Sequence, residues 1–116
     1  GYIALQSNTS GTNNTAVGSR VLSATTEGSF NVGVGVNALL FNTTGINNVA
    51  VGVEALANND TGLNNVALGR QALFNSVATS ANVAIGNFAL LGKVSGDNNV
   101  AVGVSVLAAN VAGSAN

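Results

Sequence analysis

The residues that could carry out catalysis are few and are spread along the chain. The 116 residues include no His and no Cys, so the commonest general base and the best soft metal ligand are both missing. Four carboxylates remain, each at a different position of an internal repeat: Glu27, Glu54, Asp60 and Asp97. Catalysis needs a base, a nucleophile or a metal positioned together. We therefore predict that the chain is not an enzyme and holds no metal and no cofactor.

Two glycine-containing stretches were compared with phosphate-binding motifs. The run Gly33-Val34-Gly35-Val36-Asn37-Ala38 matches G-x-G-x-x-A, the pattern that holds a dinucleotide pyrophosphate at the start of a helix. Every one of these positions belongs to a repeat column, however, and no strand-turn-helix pattern surrounds them. Gly92-Lys93 lacks the Ser or Thr and the spaced upstream Gly of a P-loop. The repeat explains these glycines better than a cofactor site does.

Four short segments match the N-glycosylation sequon N-x-[ST], beginning at Asn8, Asn13, Asn42 and Asn59. In a chain this rich in Asn and Thr, such matches also arise by chance. The sequons therefore do not by themselves predict that the chain is modified.

The charged residues exclude two classes of partner. The net charge is −1, and the cations are only Arg20, Arg70 and Lys93. Nucleic-acid binding needs clustered Lys or Arg, and an anionic membrane needs a polybasic patch. Because the cations are few and unclustered, we expect no nucleic-acid partner. No apolar run reaches the roughly 18 residues of a membrane-spanning helix, so we also expect no membrane insertion by this segment. Glu54 and Arg70 fall in neighbouring columns of adjacent repeats, where an exposed ion pair would be worth under about 1 kcal/mol.

The dominant feature is an internal repeat of seventeen residues that does not slip anywhere. Three of its columns hold a single residue type throughout. They are Gly1, Gly18, Gly35, Gly52, Gly69, Gly86 and Gly103; Asn14, Asn31, Asn48, Asn65, Asn82, Asn99 and Asn116; and Leu5, Leu22, Leu39, Leu56, Leu73, Leu90 and Leu107. A fourth column holds Gly11, Gly28, Gly45, Gly62, Thr79, Gly96 and Gly113.

The repeat predicts strands rather than helices. Seventeen residues is short for a pair of packed helices. Val49-Ala50-Val51 and its equivalents alternate large and small residues, which is typical of a strand. Coils stacked about 4.8 Å apart would give a rod of about 30 Å. We predict an all-β chain, a parallel β-solenoid with 17-residue coils, in which residues 1–116 form a single repeat domain of six full coils and a partial one, cut from a longer fibre.

Each column is assigned a structural role. Val49 and Val51, with their equivalents, are expected to point into the coil beside the Leu column. The intervening small residues are expected to point outward and to form a subunit interface, because a neighbouring subunit can then approach the backbone closely; they are Ala16, Gly33, Ala50, Ala67, Ala84 and Ala101. The glycine columns are expected at corners that require positive φ. The stacked asparagines are expected to form a ladder of hydrogen bonds along the rod.

Three segments resemble the N-x-V-A-I-G repeats in the heads of trimeric autotransporter adhesins. They are Asn47-Asn48-Val49-Ala50-Val51-Gly52, Asn64-Asn65-Val66-Ala67-Leu68-Gly69 and Asn98-Asn99-Val100-Ala101-Val102-Gly103. Similar repeats occur in phage tail-fibre and large-virus fibre proteins, and the resemblance covers essentially the whole chain. It implies a left-handed parallel β-roll, assembly as a homotrimer, and a role in adhesion or fibre structure. The adhesin-head repeat is usually shorter, so we expect a longer loop at segments such as 57–61.

Three functions follow as alternatives. The first is a rigid spacer or head in a trimeric extracellular fibre at a cell or virion surface, facing a host receptor or glycan. The second is a module that binds a glycan, a host protein or ice through loops 57–61 and 91–95. The third is a filament whose chains join end to end. The apolar residues that cannot fit inside so small a coil are expected to pack between neighbouring rolls: Val36, Val53, Val104, Leu40, Phe74 and Leu91.

Overall fold

The computed structural model is a parallel β-solenoid and describes residues 1–92 and 95–116. Six strands form one sheet in chain order, and each pairs in parallel with the next at a register of seventeen residues. The strands are β1 (Thr15–Ser19), β2 (Val32–Val36), β3 (Val49–Val51), β4 (Val66–Leu68), β5 (Val83–Ile85) and β6 (Val100–Val102). The predicted all-β solenoid is confirmed, with about five turns from β1 to β6. Its principal extents are 35 × 20 × 17 Å.

Hydrogen bonds between coils continue beyond the strands. Leu56 N donates to Ala72 O at 2.9 Å, and Asn47 N donates to Ser29 O at 3.1 Å. Each coil therefore serves as the template for its neighbour around much of its circumference, not only along the sheet. This is why a sequence period of seventeen residues produces one repeated backbone path.

A ladder of buried asparagines runs through the interior beside the strands. Asn65 donates its backbone N–H and its Nδ2 to Asn48 Oδ1 at 3.0 and 3.1 Å, and Nδ2 also donates to Thr79 O at 2.8 Å. In turn, Asn65 Oδ1 accepts from Asn82 N at 3.1 Å. The same pattern links Asn14 through Asn116. The amides satisfy backbone groups that no water reaches inside the coil.

The strand faces are oriented opposite to the sequence expectation. Ala50, Ala67, Ala84 and Ala101 are 0–1% exposed and Ala16 is half-buried, whereas Val51 is 38% exposed and Val49 is half-buried. The expected subunit-interface column of Ala16, Gly33, Ala50, Ala67, Ala84 and Ala101 thus lies in or against the core, and its outward assignment was wrong. The cause is the small interior volume. The buried Leu and Asn columns already occupy most of a narrow coil, so the inward strand position has space only for a methyl group.

Complementary sizes fill this narrow core. Val21 takes a position held by Ala38, Ala55 and Ala72 in later coils, and its larger side chain is fully buried. A Cβ on Gly33 would overlap Val21 Cγ1. The extra methyl groups of Val21 therefore fill the space that the missing methyl of Gly33 leaves, as close packing requires.

The leucine column adopts the left-handed backbone region. Leu22, Leu39, Leu56, Leu73 and Leu90 have φ of 50–52° and are completely buried. This region costs a non-glycine residue about 1–2 kcal/mol, while burying a leucine contributes about 1.5–3 kcal/mol. Burial therefore offsets the backbone cost, and leucine is tolerated where a β-branched residue would be more strained.

The two glycine columns have different causes. Gly52 and its equivalents have φ of 125–138°, which only glycine adopts readily, and this agrees with the expected corner. Gly62 and its equivalents are absent from the positive-φ glycines among the described residues, so the corner explanation does not apply to them. A Cβ on Gly62 would instead overlap Asn59 Oδ1 and the Thr79 carbonyl of the next coil. Space, not backbone conformation, selects glycine there.

In one coil, the pair formed by Asn59 and Gly62 is replaced by Ser76 and Thr79. Ser76 stands where the preceding coils have Asn42 and Asn59, and Thr79 stands in the glycine column. The Ser76 and Thr79 hydroxyls hydrogen-bond each other, and Asn82 Nδ2 donates to Thr79 Oγ1 at 3.1 Å. Among the described residues, the buried Asn59 Oδ1 consequently finds no partner.

Truncating a ladder asparagine should destabilise the fold strongly. Asn65→Ala leaves the Thr79 carbonyl and the Asn82 N–H without their ladder partners, and we expect a loss of about 3 kcal/mol or more in urea denaturation. Asn64→Ala is the matched control, because Asn64 is exposed and Ala81 and Ala115 occupy its column. It should cost under about 1 kcal/mol. Equal losses of unfolding free energy for the two variants would contradict a stabilising role of the buried asparagine ladder.

Restoring the usual pair should reveal coupling between Ser76 and Thr79. Ser76→Asn alone should destabilise, because its amide would overlap the Thr79 side chain. Thr79→Gly alone should destabilise, because Asn82 loses an acceptor. In the double variant Ser76→Asn/Thr79→Gly, the new amide can donate to the orphaned Asn59 Oδ1. We expect the double variant to be more stable than either single variant, with a coupling free energy of about 1 kcal/mol or more; additive losses would refute the coupling.

Candidate functional site

The outer surface of the sheet is made almost entirely of aliphatic side chains. We call it the apolar sheet face. It consists of Val32, Val49, Val66, Val83 and Val100, then Val17, Val34, Val51, Leu68, Ile85 and Val102, and along one border Val36, Val53 and Val104. It arises because the buried alanine column uses the inward positions of each strand, so that the flanking large residues must project outward.

This face is unusually exposed for a parallel sheet. Val51 and Ile85 are each 38% exposed, Val53 45%, and Val102 63%. Parallel sheets in soluble proteins are generally covered on both faces, and contiguous exposed apolar patches mark interaction surfaces. The inner face is covered by the core of the coil. The outer face is uncovered in the single chain and is the strongest candidate for an interaction site.

The apolar sheet face is wider at the second to fourth coils. Phe30, Ile46 and Leu63 are exposed just before β2, β3 and β4. In other coils the column of Ile46 holds Ser29, Ser80, Asp97 or Ser114, and there a side-chain oxygen accepts a backbone N–H of the preceding coil, as Ser80 Oγ does from Leu63 N at 3.1 Å. The substitutions to Ile and Leu therefore exchange a capping acceptor for additional apolar surface.

The charged residues near the border of Val36, Val53 and Val104 bond locally. Gln71 Nε2 donates to Glu54 Oε2 at 2.7 Å, and the Arg70 guanidinium lies over the Phe88 ring, 5.7 Å from its centroid. The structure thus gives Glu54 and Arg70 different partners from the ion pair considered in the sequence. Their contacts follow the rod axis. Arg70 interrupts the border column of Val36, Val53 and Val104, whereas the columns of Val49 and Val51 contain no charged residue.

The expected binding loop does not project from the rod. In 57–61, Ala57 is 2% exposed and Asn59 is fully buried, and Thr61 is the exposed residue. The second expected loop, 91–95, includes Lys93 and Val94, which lie outside the described residues, and the same holds for the Gly92-Lys93 motif. Asn58 Nδ2 donates to Asn75 Oδ1 at 3.3 Å, so this side of the coil is itself organised as a ladder.

The remaining candidate motifs fall on structural positions. Gly33 to Ala38 comprises most of β2 and the turn after it, not the start of a helix. Among the residues that the structure describes, no group of three or more acidic side chains is placed to hold a metal ion. Within 1–92 and 95–116 there is also no helix long and apolar enough to cross a membrane.

The apolar residues that were expected to pack between neighbouring rolls lie on two different sides of the coil. Val36, Val53 and Val104 are exposed on the border of the apolar sheet face, at 42–71%. Leu40, Phe74 and Leu91 are half-buried on another side of the coil, where Leu40 and Phe74 flank and cover Ala57. The two groups therefore do not form one surface.

Sequence reasoning missed the apolar sheet face, because alternation alone does not say which set of residues points inward. Comparison with known proteins found no relative: no family model matches the sequence, and no curated protein and no solved structure matches the chain. A function can therefore be proposed only from the surface described above.

Single-cysteine variants test the orientation of the strands. Because the chain has no cysteine, Ala50→Cys and Val77→Cys each introduce one thiol; Val77 is 43% exposed and lies outside the sheet. We expect a thiol reagent to modify Val77→Cys quickly and Ala50→Cys only after denaturation, as followed by mass spectrometry. Rapid native labelling of Ala50→Cys in a folded sample would contradict the inward orientation.

Proposed function

We propose that this chain is a non-catalytic structural and adhesive segment of an extracellular fibre, which it builds by association of three copies. The observation that carries the proposal is the apolar sheet face, an aliphatic surface of a rigid solenoid that lacks a cover in the single chain. A second copy offers the same kind of surface, so association of like faces would remove both from water.

The composition of the face favours a permanent contact over a transient one. Its columns are Val, Ile and Leu, and the chain carries a net charge of only −1. Obligate interfaces between identical chains are more apolar than transient ones and resemble a domain core. Charge repulsion between copies is also small at this net charge. These properties support assembly through the face rather than reversible binding of a charged ligand.

The number of copies and the winding of the chain come from the resemblance to adhesin heads and viral fibres. That resemblance implies a homotrimer and a left-handed roll. Three rolls packed through their sheet faces would place the strands around a common axis, while exposed turn residues on the other sides of the coil, such as Thr44 and Thr61, would face solvent. In such a fibre the coil stack supplies length and stiffness, and the solvent-facing turns supply the surface that meets a host receptor or glycan.

The internal hydrogen bonds support stiffness along the rod. Each coil is joined to the next by backbone hydrogen bonds and by buried asparagines such as Asn48 and Asn65, and both sets run along the rod. Bending or stretching the rod would break several of these bonds together. This arrangement supports the role of rigid spacer, at a cell surface or on a virion.

Native mass measurement tests the proposal. We expect a particle of three chains of 11.3 kDa each. Val51→Lys should dissociate it, because it would bury a charge in an apolar contact, while far-ultraviolet circular dichroism should remain that of the folded chain. Val77→Lys is the matched control, since Val77 is a similarly exposed valine outside the sheet, and it should leave the trimer intact.

Other masses would point to other functions. A wild-type monomer would refute assembly through the sheet face and would favour a solenoid that binds a glycan or ice on its own. A polymer without a defined size would favour end-to-end filament growth. Equal dissociation by Val51→Lys and Val77→Lys would show that the contact does not involve the apolar sheet face specifically.

A further inference from the structure

Two of the four sequon asparagines are core residues of the solenoid. Asn42 and Asn59 are both 0% exposed. Asn59 Nδ2 donates to Asn42 Oδ1 at 2.7 Å and to Gly62 O at 3.2 Å, and Asn42 Nδ2 donates to Gly45 O at 3.1 Å. Their amide nitrogens, the atoms to which an N-linked glycan attaches, therefore point into a packed interior.

A glycan at either position is incompatible with this fold. Attachment replaces one N–H of the side-chain amide and adds a bulky polar group. The interior beside Asn59 is so close that a single Cβ on Gly62 would overlap the Asn59 amide oxygen. A sugar would have to leave the core and take the asparagine with it, which would break the hydrogen bonds that join Asn42, Asn59 and the adjacent glycine carbonyls.

Burial in the native state does not protect these sites during synthesis. Oligosaccharide transfer acts on extended, newly made chain, before distant segments have packed, and it reads only the local sequence N-x-[ST]. In this solenoid, Asn42 becomes buried only when the following coil stacks on it. Modification can thus precede the event that would hide the acceptor.

We propose that N-linked glycosylation and folding exclude each other at Asn42 and Asn59, and that the protein therefore matures in a cell or compartment without N-linked oligosaccharide transfer. The proposal does not rest on the fibre function. It does restrict the setting of that function, because it excludes passage through a glycosylating secretory pathway.

The sequons also offer an internal comparison. Asn8 and Asn13 are exposed, so glycans there are compatible with the coil. The hydroxyl residues of the two buried sequons, Thr44 and Thr61, are exposed as well. Their column holds Ala78 and Ala112 in later coils, so alanine is accepted at that position. Thr44→Ala/Thr61→Ala therefore removes both buried acceptors without touching the ladder asparagines.

The experiment compares two hosts. In the bacterial cytosol, wild type and Thr44→Ala/Thr61→Ala should fold with the same melting temperature. In the secretory pathway of a glycosylating eukaryotic cell, wild type should carry glycan at Asn42, Asn59 or both by peptide mass spectrometry, and those molecules should be protease-sensitive. The double variant should be recovered folded, with glycan confined to Asn8 and Asn13.

Three results would overturn the proposal. One is folded, protease-resistant wild type with glycan at Asn42 or Asn59, which would show that the core tolerates the sugar. Another is folded wild type from the glycosylating cell with both sites unmodified, which would show that the pathway is no barrier. The third is a double variant that folds in bacteria yet fails in the secretory pathway, since the buried sequons would then not be the cause.

Discussion

The structure depends on vertical register between successive coils. The interior of each coil contains backbone amides and asparagine side chains that cannot reach water, and the asparagines of the Asn14 to Asn116 column bond to the coils above and below. A shift of one residue would turn every inward side chain outward and would also move each amide away from its acceptor. Hydrogen bonding between coils therefore requires the seventeen-residue period. The Asn14 to Asn116 column shows this directly, because each Asn Oδ1 accepts from the Asn seventeen residues later.

Narrowness is the second consequence of the same geometry. A short coil that already holds a leucine and one or two asparagines has little volume left, so its strand can contribute only a methyl group or a hydrogen. The paired changes at Val21 and Gly33, and at Ser76 and Thr79, show that the remaining volume is shared between neighbours. Variation is accepted inside the coil when two positions change together.

The narrow interior also determines the outer surface. Because alanine takes the inward strand position, valine, isoleucine and leucine take the outward ones, and the single chain is left with an aliphatic sheet face. The strand's β-branched residues favour extended backbone, but their apolar surface is gained for contacts outside the coil. The narrow interior that the alanines fill thus also leaves the single chain with an uncovered apolar surface, and the proposed assembly rests on that surface.

The repeat in the sequence was sufficient to predict the parallel solenoid, its seventeen-residue register and its strand positions, because identical residues at a fixed spacing have one simple stacked solution. It could not decide which side of each strand faces inward. Val49 and Val51 alternate with Ala50 equally well in either orientation, and the usual preference for large apolar residues inside pointed the wrong way. The left-handed backbone of the leucines and the burial of Asn42 and Asn59 were likewise invisible, since both depend on how the turns close the coil. Local sequence determined where the chain extends and how often it repeats. The volume enclosed by the closed coil, which exists only in the tertiary structure, decided which side chains lie inside it and which remain exposed.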